Sequence, residues 1–446
     1  MGAMSIENRK RAAVAQLETL KARVDHVHIE GLQRTKDDFV AGAFRDMFKV
    51  STFQELLEKS IETRLKLEKL GCFKNIAIVI DTSSGSKSTP GYGYDVTFNV
   101  VELGRVTGRI NTTIENNQGS LGFALQTPNL IGRGETLQGE IKCSSKKMHT
   151  FNTSFTKPLL FSNGSFNSSI FKQTSENVAS GYKLTEYGTL FGLSFLYGGR
   201  INHEIQYEGI VRNAGVMNKN VAFAIRENSG YTLKSSVRNI LSVDSRDSNV
   251  FPTEGSTVQL KSELAGLGGN IGFLKNELFS QINLPLVSDI SLQASFGAGL
   301  LTDTTKNKFY SLIDRFFLGG PLTLRGFQFN SVGPKVDGYA TGGSIYWLGG
   351  LHLYTPLPHR PSKGSFGDSF RLHLFCNAGN LGNVTRNLNE CFDSLSKSIR
   401  LMYGIGLVYR LGQIARIELN YCIPILYQAD DKLIDGVQLG LGVHFV

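Results

Sequence analysis

The sequence predicts an all-β transmembrane barrel of about sixteen antiparallel strands, preceded by one small α+β domain. Three observations lead there. Residues 105–446 alternate apolar and polar side chains at a period of 2, in segments of about 10 residues, the length a tilted strand needs to cross hydrocarbon. No apolar run of about 18 residues could cross as a helix, and a chain that spans a bilayer without one must close its sheet. Residues 26–103, by contrast, carry helical spacings between short alternating strands.

Composition narrows the function classes. At 446 residues, with 49 Gly and 29 Phe against 1 Trp, the chain suits many strands and turns better than helices. Its net charge of +9 fits nucleic acid or an acidic membrane surface equally well. The Lys and Arg are scattered, however, and no recognition helix, finger spacing or stacking aromatic signature appears, so no nucleic-acid partner is expected. Cys72, Cys143, Cys376, Cys391 and Cys422 are odd in number and far apart, which argues against a disulfide framework and against zinc. The 8 His are dispersed, and no phosphate loop or Ser/His/Asp constellation is present. No catalytic residue, metal site or cofactor is therefore expected, and Asn-x-Ser/Thr triplets such as Asn163 and Asn167 are read as unused.

Residues 1–25 read as a helical or flexible segment, with 6–24 an amphipathic helix rather than a secretory signal, because no apolar core interrupts the charges. The small domain spans 26–104. His26–Glu30 is its first strand, and Thr35 is a candidate cap for a helix carrying Phe39, Ala43 and Met47 on one face. Thr52-Phe53-Gln54-Glu55 reads as a capping box for a second helix with Leu57, Ile61 and Leu65 at helical spacing, and Gly71 stands where a left-handed residue ends it. Ile76, Ile78 and Ile80 then alternate on a strand, Ser83–Gly93 is turn-like, and Tyr94–Glu102 is the last strand.

From 105 onward, strands are expected near 105–115, 119–128, 134–143, 149–157, 164–172, 187–197, 201–211, 231–243, 256–266, 273–284, 290–301, 342–355, 370–378, 400–410, 415–425 and 436–446. In the fifteenth, Arg416, Glu418 and Asn420 alternate with Ile417, Leu419 and Tyr421. A soluble sandwich would bury the apolar row; a barrel turns it to lipid and leaves the polar row lining a wet lumen. Periodicity cannot separate the two, but an even strand count of this size favours the barrel. The long stretch 302–341 between the eleventh and twelfth strands holds Asp314-Arg315-Phe316-Phe317-Leu318-Gly319-Gly320 and then Leu324-Arg325-Gly326-Phe327.

That run resembles the lid-loop motif of the BamA-like outer-membrane assembly superfamily, and 26–104, with Gly31–Thr35 at its first turn, resembles a single polypeptide-transport-associated (POTRA) domain. The end of the chain, through Gln438, Gly440, Val443 and Phe445, is similar to the β-signal of mitochondrial barrels. With Leu351–Pro358 and Glu418–Cys422, the chain from about 26 to 446 is most similar to the central barrel subunits of the mitochondrial sorting and assembly machinery. The resemblance implies a lid folded into the lumen, with Arg325 against the inner wall. Phe375-Cys376-Asn377-Ala378-Gly379 departs from the family's pattern by placing Asn377 where bacterial relatives carry Asp, which makes Glu418 a candidate substitute partner. It further implies an insertase for β-barrel precursors in the mitochondrial outer membrane, with the POTRA domain in the intermembrane space. Precursors would enter through a lateral gate between the last strand and the first, the latter carrying Val106, Gly108, Ile110, Thr112 and Ile114. Implied partners are unfolded β-barrel precursors, metaxin-like accessory subunits, contact-site (MICOS) proteins of the inner membrane, and outer-membrane lipid. A porin-type metabolite pore and a two-partner secretion transporter are the alternatives.

Overall fold

The structure, a computed structural model, describes residues 20–83, 92–115, 118–144, 148–159, 164–287, 289–304, 310–358, 365–384, 395–412 and 415–442, without the side chains of 112–119. Most of the expected N-terminal helix lies outside these residues. Where the chain becomes describable it is already extended: β1 is Arg23–Glu30, so Arg23 and Val24 belong to a strand.

The small domain continues with helix α1 (Asp37–Ala41), a 3-10 stretch (Gly42–Lys49), helix α2 (Phe53–Lys69), β2 (Phe73–Thr82) and β3 (Gly93–Glu102). Its sheet order is β1-β3-β2, with β1 parallel and β2 antiparallel to the central β3. Phe39, Met47, Leu56, Leu67, Ile76, Val96, Phe98 and Val100 form a closed apolar core between helices and sheet. Three sequence expectations are corrected here. Thr35 caps no helix: α1 starts after Lys36 without a side-chain cap, and the Thr35 hydroxyl instead donates to Glu102 at 2.6 Å. Thr52 Oγ1 does accept from Glu55 N, but the Glu55 carboxylate turns to the amide and hydroxyl of Ser51, one residue further back than a capping box places it. The buried stripe of α2 is Leu56, Ser60, Thr63 and Leu67, whereas Ile61 and Leu65 are 57% and 50% exposed. A strict four-residue spacing drifts round a helix of 3.6 residues per turn, while i, i+4, i+7, i+11 stays on one side. Ser60 is tolerated there because its hydroxyl donates to Leu56 O at 2.7 Å. Gly71 has φ +67°, the left-handed end expected of it.

The second sheet has sixteen strands. They are β4 (Thr107–Glu115), β5 (Gln118–Pro128), β6 (Thr136–Ser144), β7 (His149–Leu159), β8 (Gly164–Asn177), β9 (Tyr182–Tyr197), β10 (Ile201–Val216) and β11 (Gly230–Asp244). After β12 (Gly255–Gly269), β13 (Phe273–Pro285) and β14 (Ser291–Asp303), a small hairpin, β15 (Lys335–Val336) and β16 (Tyr339–Ala340), stands apart within the lid loop. β17 (Ile345–Pro356), β18 (Phe370–Gly382), β19 (Arg400–Leu411), β20 (Ala415–Leu426) and β21 (Gly436–Gly442) complete it, and the short helix α3 (Phe223–Glu227) sits between β10 and β11. Neighbours in the sheet are neighbours in sequence, from β4 at one end of the order to β21 at the other. Strands β9 and β10 run 16 residues each, beyond the expected bilayer-crossing length, because their ladders continue past what hydrocarbon alone requires. Residues 125–139 group with the small domain rather than with the main body of the sheet.

The polarity of this sheet is inverted relative to a soluble core. In β20, Arg416, Glu418 and Asn420 are buried while Leu419 and Tyr421 are exposed; in β14, Ser291, Gln293 and Ser295 are buried while Phe296 and Leu300 are exposed. The soluble-sandwich reading of the alternation is thereby excluded, and the apolar row faces lipid. Among the described residues no helix is long and apolar enough to cross a membrane.

Candidate functional site

The loop that follows β14 folds against the polar inner face of the sheet and is held there in two places. The first anchor begins with a 3-10 turn, Leu312–Asp314, closed by Ser311: the Asp314 carboxylate accepts from Ser311 N at 3.0 Å. The other Asp314 oxygen accepts from Arg212 Nη1 of β10 at 2.6 Å, and Arg212 Nε donates to Glu186 of β9 at 3.1 Å. Lys275 of β13 donates to the Asp314 carbonyl at 3.1 Å and places its ammonium 4.5 Å from the Phe316 ring centroid. Sequence reasoning missed this anchor. The signal was present, since Asp314 opens the lead-in to the lid motif and Arg212 stands on the polar row of its strand, but nothing in spacing pairs residues 102 positions apart.

The second anchor is the predicted motif. Gly326 adopts φ +77°, and a Cβ there would run into Met402 of β19. That bend turns Arg325, with no exposed surface, into the inner wall, where Nε and Nη2 donate to Glu418 Oε2 at 3.1 and 3.0 Å and Nη1 donates to Asn377 Oδ1 at 3.3 Å. The two candidate partners are thus both brought to Arg325, the carboxylate from β20 and the amide from β18. Asn420 Nδ2 donates to Glu418 at 2.9 Å, and Arg416 Nε stands 3.1 Å from its other oxygen. The guanidinium also lies 5.4 Å from the Phe375 ring centroid. A charge this deeply buried persists only when it is paired and hydrogen-bonded in this way.

Leu324 and Phe327 flank Arg325 and are fully buried in a cluster with Leu318, Val332, Leu348, Phe375, Leu381, Met402 and Cys422. The expectation of a wet lumen needs correcting at this level: inward-facing apolar residues of β17 to β20 pack on the lid. Because the loop touches β10 on one side and β20 on the other, the nine consecutive strands from β10 to β20 must curve around it.

The gate-strand candidates are placed as follows. Gln438 is buried and bonds the lid backbone: its Oε1 accepts from Gly326 N at 2.9 Å, and its Nε2 donates to Phe327 O at 3.1 Å. Gly440 lies opposite Glu418 in the β20–β21 register. Val443 and Phe445 lie outside the described residues. Val106 precedes β4 rather than belonging to it, Gly108 and Ile110 lie within it, and Thr112 and Ile114 share the strand, their side chains undescribed. Among the described residues no group of three His, Cys, Asp or Glu is placed to hold a metal.

In the small domain a further polar hub escaped sequence reading. Glu102 accepts from the amides of Gln33, Arg34 and Thr35 at 3.1, 3.1 and 2.8 Å, from the Thr35 hydroxyl at 2.6 Å and from Arg34 Nε at 3.2 Å. Asn129 Nδ2 donates to the same hydroxyl at 2.7 Å. Burial alone would raise the Glu102 carboxyl, but these donors outweigh it and hold it at about 2.

Comparison with known proteins matches residues 129–445 to the Omp85 superfamily domain. Sorting and assembly machinery component 50 homolog B of Xenopus laevis is 41% identical over 99% of this chain and 94% of its own length. The Homo sapiens homolog is 40% identical over the same shares, and a SAM50-like protein of Drosophila melanogaster is 36% identical over 96% of each chain. Among solved structures, BamA from Haemophilus ducreyi lacking POTRA domains 1–3 superposes with a TM-score of 0.79 at 17% identity, over 94% of this chain and 84% of that one. CdiB from Acinetobacter baumannii follows at 0.52 and 11%, over 94% and 73%. At those identities the two structures speak to fold alone.

Proposed function

We propose a function from one premise: the chain belongs to the Omp85 superfamily and, within it, to the family of sorting and assembly machinery component 50 homologues. It is a β-barrel assembly insertase of the mitochondrial outer membrane, acting on β-barrel precursors within the sorting and assembly machinery. The observation that carries this reading is the inverted sheet with Arg325 latched to Glu418 inside it, a lid built into a membrane-facing barrel.

The physical task is backbone satisfaction. In hydrocarbon an unpaired N–H or C=O costs several kcal/mol, so a precursor strand can enter only where another strand's edge accepts it. A closed sheet offers no edge except where its first and last strands meet without chain continuity. Opening between β4 and β21 would expose one, and every hydrogen bond the precursor makes there replaces one given up. Such an exchange needs no nucleotide, cofactor or covalent step. Gly436, Gly440 and Gly442 weaken β21 and suit it to being the strand that parts. The small domain reads as a POTRA domain facing the intermembrane space, spanning about 26–104, with free edges on β1 and β2 for extended substrates. Metaxin-like subunits, contact-site proteins and bilayer lipid are the partners this placement suits. A metabolite pore is the weaker reading, because Leu324 and Phe327 fill space a pore would keep open.

Depletion from the native cell tests the function. New mitochondrial porins should fail to assemble while helical outer-membrane proteins persist; undiminished porin assembly would refute it.

A further inference from the structure

The lid is bonded to the β20–β21 connection and to the last strand of the sheet, and not only to its inner wall. Besides Gln438, the β20–β21 connection pairs with the lid backbone: Gln328 N donates to Lys432 O at 2.9 Å and Ile434 N donates to Gly326 O at 2.7 Å, making Phe327 and Leu433 antiparallel bridge partners. The Ser331 hydroxyl adds a bond to Lys432 O at 3.2 Å, and Leu433 packs on the buried lid cluster. The other anchor, Asp314 on Arg212, touches neither β20 nor β21.

We propose that Gln438 is a positioning residue that couples the lid to the last strand, so that lid release and loosening of β21 are one event. The side chain suits this because its amide satisfies a donor and an acceptor at once, Gly326 N–H and Phe327 C=O, at a point where both backbone groups are buried and have turned from their own chain. An apolar side chain of equal volume would strand both groups. Coupling of this kind is reciprocal: whatever frees the lid must loosen β21 by the same factor, and the reverse. The Asp314 anchor then acts as a tether, holding one end of the lid while the Gly326 end swings. The inference rests on the assembly reading only for its use, since the coupling belongs to the chain itself.

Amide hydrogen exchange on the full chain in lipid nanodiscs, with no precursor present, reads the coupling directly. Gln438→Leu should speed exchange of lid amides 326–333 on the order of tenfold, the loss of two buried hydrogen bonds. Arg325→Lys, which changes the lid and its Glu418 latch but no residue of β21, should speed exchange of β21 amides 437–442, whereas Asp314→Asn should speed only those near 311–316. If Gln438→Leu proves unable to fold, the chain carrying Gln328→Cys and Lys432→Cys keeps the question open: oxidation should slow exchange in β21 as well as in the lid, and reduction should reverse it. Lid exchange that changes while β21 stays constant, in the Arg325→Lys chain or on oxidation, would overturn the coupling and leave the assembly function untouched.

Discussion

In β3 of the small domain, Val96, Phe98 and Val100 are the buried row; in β20 of the large sheet the buried row is Arg416, Glu418 and Asn420, while Leu419 and Tyr421 are exposed. Both strands alternate at a period of 2, and their propensities are alike. What differs is the solvent on the far side. The three-stranded sheet has water outside and a helical layer inside, so it buries apolar area; the sixteen-stranded sheet has lipid outside, so its interior is where charges must be placed and satisfied. Each region also buries a carboxylate on an arginine, Glu102 with Arg34 and Glu418 with Arg325. Glu102 collects backbone amides at a domain surface, whereas Glu418, among the described residues, accepts from side chains inside the barrel.

The largest expected difference follows from that contrast. Arg325→Ala leaves Glu418 short of its main partner in a dry site, a loss of about 3–5 kcal/mol at the lid anchor, while every ladder hydrogen bond stays. The barrel should form, with a protease-sensitive lid and impaired precursor assembly. Arg325→Met combined with Glu418→Gln removes both charges and should be less damaging to barrel stability than Arg325→Ala, as measured by urea unfolding in bilayers.

Next comes the outer face. Leu419→Arg puts a charge in lipid and should cost about 2–4 kcal/mol if near the midplane, whereas Ile61→Arg, on an exposed apolar position of the water-facing domain, should change stability by less than about 0.5 kcal/mol. Equal penalties at the two sites, in matched unfolding measurements, would break the comparison.

The smallest effect is a pH dependence. Because the Glu102 carboxyl is held at about 2 against an ordinary 4.5, it contributes stability that is fully present above pH 4.5 and is lost as pH falls through that window toward 2. Glu102→Gln should therefore flatten the acid limb of small-domain melting. An unchanged acid limb would show that the hub holds no ionised carboxylate.

Strand number and the lid motif were legible because they rest on local signals: period-2 alternation, and a Gly that must adopt positive φ beside an Arg. Glu418 was also within reach, since it stands on the polar row of a strand whose pattern is unbroken. The Asp314–Arg212 anchor and the Gln438 clamp were not, because each joins residues more than 100 positions apart through the curvature of the sheet. The face of α2 was misread for a different reason. Leu57, Ile61 and Leu65 are the larger apolar side chains, and the helix nevertheless turns Ser60 and Thr63 inward with Leu56 and Leu67. Side-chain size lost to the geometry of the sheet beneath.

Entry of precursors between β4 and β21 is tested most directly by site-specific crosslinking. Single cysteines placed along 106–115, in a chain freed of its own cysteines, are challenged with a precursor carrying a cysteine in its last strand. Strand addition at this seam should give crosslinks at alternate positions in one register, because paired strands present side chains at a period of 2, and loss of assembly when β4 and β21 are locked by a reducible disulfide. Crosslinks spread evenly over the other strands, or full assembly with the two strands locked, would contradict it.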